Sequence, residues 1–217
     1  MTKIAIVDDH CLVRSGLSNT INCFKNYKVL FEADNGKDFI QKINPDKLPE
    51  IVILDISMPE MDGYETARWI RTNYPSIKTI ALSVDKDERS VIRMIRNGAN
   101  GYLPKICMPF ELETALNVIR DKGMFFNNIL YNNFSSTINN SLSEMQEKYE
   151  KITELNATEK IFLQHACTEL SLKQIAAEMC VSPRTVDGYR DKLFEKLEVN
   201  SRVGLVLVAL KSGYIQL

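Results

Sequence analysis

At 217 residues with 45% apolar content, the chain exceeds one typical domain and carries enough apolar surface to exclude wholesale disorder, while a net charge of −1 gives no sign of a polyelectrolyte binder. No apolar run approaches the roughly 20 residues of a bilayer span, and the N-terminus lacks the basic start and apolar stretch of a signal peptide, so a cytoplasmic protein without membrane association is expected. Cysteines 11, 23, 107, 167 and 180 include no CxxC pair and only His10 and His165 could join them, so buried free thiols in a reducing compartment are expected and a zinc site is not.

Strands are predicted at Lys3–Val7, Lys28–Ala33, Ile51–Leu54, Lys78–Leu82 and, more weakly, Gly101–Pro104. Near-continuous apolar runs such as IVIL suit a parallel sheet covered on both faces. Helical stripes fall between them at Val13, Leu17, Ile21 and Phe24, then at Val91, Ile92 and Ile95 with Gly98 as the stop, then at Leu112, Leu116 and Ile119. Five strands alternating with five helices predict a five-stranded, doubly wound parallel α/β sheet over residues 1–122. Residues 123–152 read as a linker. They hold Asn at 127, 128, 132, 133, 139 and 140, but Phe125, Phe126, Ile129, Leu130, Tyr131 and Phe134 are too apolar for a free tether. Leu142, Met145, Tyr149 and Ile152 predict a short linker helix. From 153 to 217 the pattern is all-α, with room for four helices.

The chemistry concentrates at strand ends. Asp8 and Asp9 follow the first strand, Asp55 the third, Ser83 closes the fourth and Lys105 the fifth. In a doubly wound sheet these C-terminal edges are neighbours and bind ligands. A lone Asp at a strand end is ordinarily a turn former or helix cap, but five such residues at one edge form a set. Three carboxylates at close quarters call for a cation, and all-oxygen surroundings suit Mg2+. The Ser83 hydroxyl and the Lys105 ammonium would hold the oxygens of a phosphoryl group transferred to Asp55.

The segments IVDDHCLVRSGL, LDISMPEMDGYE, ALS and GANGYLPK resemble the receiver domains of NarL/FixJ-type response regulators, across all of residues 1–122. The resemblance implies a flavodoxin-like receiver fold and Asp55 as phosphoacceptor from a sensor histidine kinase. It implies Asp9, Asp55 and the Ser57 carbonyl as direct Mg2+ ligands, with Asp8 acting through water. Ser83 and Lys105 would bind phosphoryl oxygens, and Tyr102 occupies the position of a switch aromatic. Cys11 and Ile106 depart from the family pattern, where proline is common after DDH and after the lysine.

In the C-terminal part, Ser171-Leu-Lys-Gln174 is a capping box opening a helix with Ile175, Ala176 and Met179 on its inner face. Cys180-Val181-Ser182 is a tight turn. Ser182-Pro183 starts a second helix whose buried stripe is Val186, Tyr189, Leu193 and Leu197. Two helices across so short a turn predict a helix-turn-helix; the alternative is an all-helical packing module. The segment from Leu155 to Arg202, with IAAEMCVSPRTV at its centre, resembles the four-helix LuxR-type DNA-binding domain. That implies a recognition helix from about Pro183 to Leu197, presenting Arg184, Thr185, Asp187, Gly188, Arg190, Asp191 and Lys192 to double-stranded DNA. Basic or polar residues are usual in the family where Asp187 and Asp191 stand. From Val203 to Leu210 (VGLVLVAL) the chain is apolar nearly all round, so one face is expected on the helix-turn-helix and the other in a homodimer contact, the alternative being a buried core helix.

The expected function is a phosphorylation-dependent transcription regulator. A second reading is a phosphorylated adaptor whose helical domain binds protein. A third, an aspartyl-nucleophile phosphatase, is disfavoured because Ser57 stands where a second acid would be needed, so no enzyme is expected.

Overall fold

Strands rich in Ile, Val and Leu, each followed by an amphipathic helix, dictate how the N-terminal part builds. The computed structural model describes residues 1–84, 87–126 and 151–215. Its elements run β1 (Thr2–Val7), α1 (Cys11–Cys23), β2 (Tyr27–Ala33), α2 (Gly36–Lys42), β3 (Ile51–Asp55), α3 (Gly63–Asn73), β4 (Lys78–Ser83), α4 (Glu88–Arg96), β5 (Gly101–Pro104), α5 (Pro109–Lys122) and β6 (Phe125–Phe126). The strands pair in parallel in the order β2-β1-β3-β4-β5-β6. The sheet therefore has six strands rather than the five expected. Phe125 and Phe126, read as linker, pair with Gly101 and Tyr102 of β5.

Alternate residues of the central strands point to opposite faces. Ile4, Ile6, Ile53, Ile80, Leu82 and Leu103 pack with Ile21 of α1 and with Leu112, Ala115, Leu116 and Ile119 of α5. Elsewhere in this unit Phe39 of α2 stacks on Phe31 of β2 at 5.7 Å and meets Trp69 of α3 edge-on at 6.3 Å. The stripe expected on α1 is narrower in the structure. Ile21 is buried and Leu17 and Phe24 pack partly, but Val13 is exposed. The helix starts beyond the end of the strand it covers, so its first turn has little sheet to rest on. Gly98 ends α4 as expected, with φ 97°.

The C-terminal part contains α6 (Ala157–Ala166), α7 (Leu172–Glu178), α8 (Pro183–Lys196) and α9 (Arg202–Lys211), the four helices predicted. The chain folds as two compact units, one containing the sheet and the other these four helices together with residues 87–93. Phe162, Leu163, Ile175, Ala176, Val186, Leu193, Leu197, Leu205 and Val206 are buried. Tyr189, expected in the buried stripe, and Met179 are only half-buried; the Tyr189 ring lies 6.3 Å from that of Phe162. The Ser171 box forms as read, with Ser171 N–H donating to Gln174 Oε1 (2.8 Å) and Gln174 N–H to Ser171 Oγ (3.3 Å). Ser182 caps α8, accepting from Thr185 N–H at 3.1 Å. Between the helices Cys180 takes a left-handed φ of 53°, which turns the chain sharply. Of the thiols expected to be buried, Cys167 is buried and Cys107 half-buried, but Cys11, Cys23 and Cys180 are exposed, because they lie at helix ends and in this turn rather than on a core face. On α9, Val203, Leu205, Val206, Val208 and Ala209 are buried, leaving Leu207 and Leu210 half-buried. Of the linker readings, Ile129, Leu130, Tyr131, Phe134, Leu142, Met145 and Tyr149 lie outside the described residues, whereas Ile152 is described and buried.

Candidate functional site

Because β1 and β3 are adjacent and parallel, the residues leaving their C-terminal ends meet. Asp8 and Asp55 are both buried there. β5 delivers Lys105 to the same edge, with Nζ 3.1 Å from Asp8 Oδ2 and 2.7 Å from Asp55 Oδ2. Ser83, at the end of β4 and likewise buried, accepts the Lys105 N–H on its carbonyl at 2.7 Å. Tyr102 is buried on β5, and Ser57 is exposed just past β3. Asp9 is more open than Asp8. One ligand atom from each of Asp8, Asp9, His10 and Asp55 can be chosen so that all lie within 4.8 Å of one another.

The electrostatics follow from burial. Desolvation pushes the Asp55 carboxyl above its ordinary value; the Lys105 ammonium and the Ser57 N–H pull it down, Asp8 pushes it further up, and the net is a rise. Burial works to lower Lys105, but Asp55 and Asp8 hold it above its ordinary value, so it stays charged. Three carboxylates thus face one ammonium. Lys105 is the partner of Asp8 Oδ2 and of Asp55 Oδ2, so one ammonium serves two buried carboxylates. With Asp9 beside them the edge keeps excess negative charge, and the carboxylate oxygens suit a hard divalent cation such as Mg2+.

Three residues that shape this edge were not singled out from the sequence. Arg14, on α1, donates from Nη1 to the Asp8 carbonyl, reaches Glu32 Oε2 from Nε at 3.3 Å, and pairs through Nη2 with Asp34 Oδ1 at 2.7 Å. It ties the end of β1 to the end of β2. Its spacing, one helical turn after His10, is the signal by which it could have been found. His10 enters the carboxylate cluster itself, with Nδ1 2.8 Å from Asp9 Oδ1 and 3.2 Å from Asp8 Oδ1. Gly63 begins α3 against the backbone of Asp55 and Ile56, its N–H donating to the Ile56 carbonyl at 2.9 Å.

The seven residues expected to meet DNA all lie on α8. Arg184, Gly188, Asp191 and Lys192 are exposed, and Thr185, Asp187 and Arg190 are half-buried. Thr185 Oγ1 lies 2.8 Å from Ser182 Oγ, so its hydroxyl is engaged at the cap. Arg190 is held by acids on both sides: Nη1 donates to Asp187 Oδ1 at 3.0 Å, and Nε and Nη2 donate to Asp191 Oδ1 at 3.0 and 2.9 Å. The two acids on this face therefore neutralise the arginine between them.

Residues 4–117 match the family model of the response regulator receiver domain, and residues 153–209 match that of bacterial regulatory proteins of the luxR family. Response regulator GacA of Pseudomonas syringae pv. syringae is 28% identical over 220 residues, covering 99% of this chain and 98% of that protein. Transcriptional regulatory protein YdfI of Bacillus subtilis is 31% identical over 215 residues, with 99% and 98% covered. Among solved structures, a LuxR-family two-component response regulator from Aurantimonas sp. is similar at 27% identity and a TM-score of 0.54, over 58% of this chain and 90% of that one. Among the described residues no helix is long and apolar enough to cross a membrane.

Proposed function

The chain belongs to the NarL/FixJ family of response regulators, a receiver joined to a LuxR-type DNA-binding domain, and we propose that it is a cytoplasmic transcription regulator gated by phosphorylation of Asp55. The family is one of DNA-binding regulators rather than enzymes. The working division is a receiver over 1–122, a linker over 123–152 and a DNA-binding domain over 153–217.

One observation carries the reading: a charged, half-buried Lys105 bridges the buried carboxylates of Asp8 and Asp55 at the carboxyl edge of the sheet. A carboxylate oxygen of Asp55 attacks the phosphorus of a phosphohistidine on a sensor kinase. The P–N bond breaks, the leaving imidazole nitrogen keeps the electron pair, and an acyl phosphate forms on Asp55. Lys105 then meets a phosphoryl oxygen with its ammonium, and the Ser83 hydroxyl donates to another. Asp9, Asp55 and the Ser57 carbonyl would hold Mg2+ directly, with Asp8 through water. The ion supplies positive charge against the phosphoryl oxygens. Phosphate adds charge at a rigid sheet edge, and Ser83 and Tyr102 carry the change outward by biasing two pre-existing states. The DNA-binding surface is Arg184, Thr185, Asp187, Gly188, Arg190, Asp191 and Lys192 on α8, used by a homodimer on two half-sites.

The test is incubation with acetyl phosphate and Mg2+ followed by intact-mass spectrometry. Wild type should gain a phosphoryl group and Asp55→Ala should not. An unmodified wild type, or equal labelling of both, overturns the assignment.

The mutual neutralisation of Arg190, Asp187 and Asp191 favours a second reading, an adaptor whose helical domain binds protein. Selection from genomic DNA fragments separates the two. Enrichment of discrete sequences by the phosphorylated protein supports the regulator, and no enrichment supports the adaptor.

A further inference from the structure

We infer that Arg190 is the guanine-reading residue of α8, held ready for that base by Asp187 and Asp191 rather than silenced by them. The inference rests on the reading above that α8 binds DNA, and it names what the helix reads there.

The first observation is the geometry of the clasp. Arg190 Nε and Nη2 both donate to Asp191 Oδ1, at 3.0 and 2.9 Å, and Nη1 donates to Asp187 Oδ1 at 3.0 Å. Adjacent residues on a helix do not face each other, so the bonds to Asp191 form only because the arginine bends across to it. Arg190 Cζ also lies 6.0 Å from the centre of the Phe194 ring. Three neighbours thus hold one guanidinium, whose long stem has many rotamers to lose. That loss is met before any ligand arrives, which is how a preorganised contact gains affinity. The clasp uses one N–H on each guanidinium nitrogen, so Nη1 and Nη2, which carry two apiece, each keep one. Guanine presents O6 and N7 side by side as acceptors in the major groove, and one N–H from each terminal nitrogen matches them. Adenine sets an amino donor beside its N7 and refuses one of the pair.

The second observation is the surface around the clasp. Asp187 and Asp191 are open to solvent at 49% and 65% of their side-chain area, so the clasp sits toward the outer side of α8. Its charges cancel, which leaves little pull on phosphate and keeps direction. Gly188 lies between the two acids in sequence, exposed, and a Cβ on it would meet nothing within 4 Å. Glycine weakens the interior of a helix, and no packing within the chain requires it here. Its bare backbone lets α8 lie close to the base edges. An arginine folded sideways needs that closeness, because it reaches less far than an extended one.

The experiment uses the full chain, phosphorylated with acetyl phosphate and Mg2+, as wild type, Arg190→Ala, Arg190→Lys and Asp191→Asn. Wild type first selects from duplexes with a randomised core. The enriched duplex is remade with 7-deazaguanine, which lacks the N7 acceptor, at each guanine in turn, and affinities are measured across a salt series. At one guanine per half-site the replacement should cost wild type about tenfold or more, and should cost Arg190→Ala less than about twofold. Arg190→Ala should accept any base at that position with its salt slope unchanged, because a base contact displaces no phosphate counterion. Arg190→Lys should not restore the preference, since an ammonium lacks the planar fork. Asp191→Asn should bind random DNA more tightly and lose at least about threefold of its preference for that guanine. An enriched duplex with no N7-sensitive guanine, or a 7-deazaguanine penalty equal in wild type and Arg190→Ala, overturns base reading by Arg190 and leaves DNA binding standing. So does an Arg190→Ala variant that weakens every sequence alike and flattens the slope by about one, the mark of a phosphate contact. A preference undiminished in Asp191→Asn overturns the positioning role of the clasp. No enrichment by wild type overturns the DNA reading itself.

Discussion

At Gly63 the chain has no room for a side chain. A Cβ there would stand 2.3 Å from the Asp55 carbonyl oxygen and 2.7 Å from Ile56 Cα, both backbone atoms that cannot swing aside. Gly63→Ala is therefore expected to destabilise by about 1–3 kcal/mol and, by displacing Asp55, to slow phosphorylation by acetyl phosphate. Gly16, in the middle of α1 with nothing within 4 Å of an added Cβ, is the control. Gly16→Ala should leave phosphorylation intact and stabilise by about 0.5–1 kcal/mol. Thermal unfolding and intact-mass labelling of the two variants check this, and equal behaviour would sink the argument. The contrast shows which residues a sequence reveals. Asp8, Asp9, Asp55, Ser83 and Lys105 were legible because a strand end fixes their place whatever their neighbours. Gly63, His10 and Arg14 were not, because their roles depend on how closely separate segments approach.

Helices α6 and α8 are joined by one buried acid. Glu159 Oε2 accepts from Asn156 N–H at 3.1 Å to close a capping box, and both Glu159 oxygens lie 2.7 Å from Lys196 Nζ. The Lys196 bond is the main cause holding the Glu159 carboxyl below its ordinary value; burial opposes it and the Asn156 N–H assists. A carboxyl lowered on folding stabilises above its unfolded pKa of about 4.3 and loses that contribution as pH falls through its folded value. Glu159→Gln should accordingly open α6 more readily than wild type at pH 7, by about 1 kcal/mol, and the difference should shrink below pH 4. Hydrogen exchange of the α6 peptide measures it, and a gap that persists in acid would contradict the assignment. The capping boxes illustrate what is readable at this scale. Ser171 and Gln174 announce theirs through residue type and spacing, and Asn156 with Glu159 has the same spacing but was passed over. Strand β6 escaped notice because two residues show no periodicity, so only its pairing with β5 defines it.

Charge sets the terms for the whole chain. The net charge is −1, so attraction to a polyanion must come from local arrangement. On α8 the arginine best placed to help is spent on Asp187 and Asp191, and Arg184 and Lys192 are the exposed cations on that face. If these two make the phosphate contacts, one copy neutralises about two phosphates, and the logarithm of affinity should fall against the logarithm of salt with a slope of about −2. Two copies on adjoining half-sites would engage about four, for a slope of about −4. A chain this weakly attracted gains specificity only by pairing, so phosphorylation should raise the solution mass from monomer to dimer and steepen the slope together. Sedimentation with and without phosphorylation, alongside anisotropy titrations of a selected DNA fragment across a salt series, measures both. A dimer whose slope stays at the monomer value would mean that the second copy does not touch DNA, and a steep slope in the monomer would mean that cations beyond α8 make the contacts.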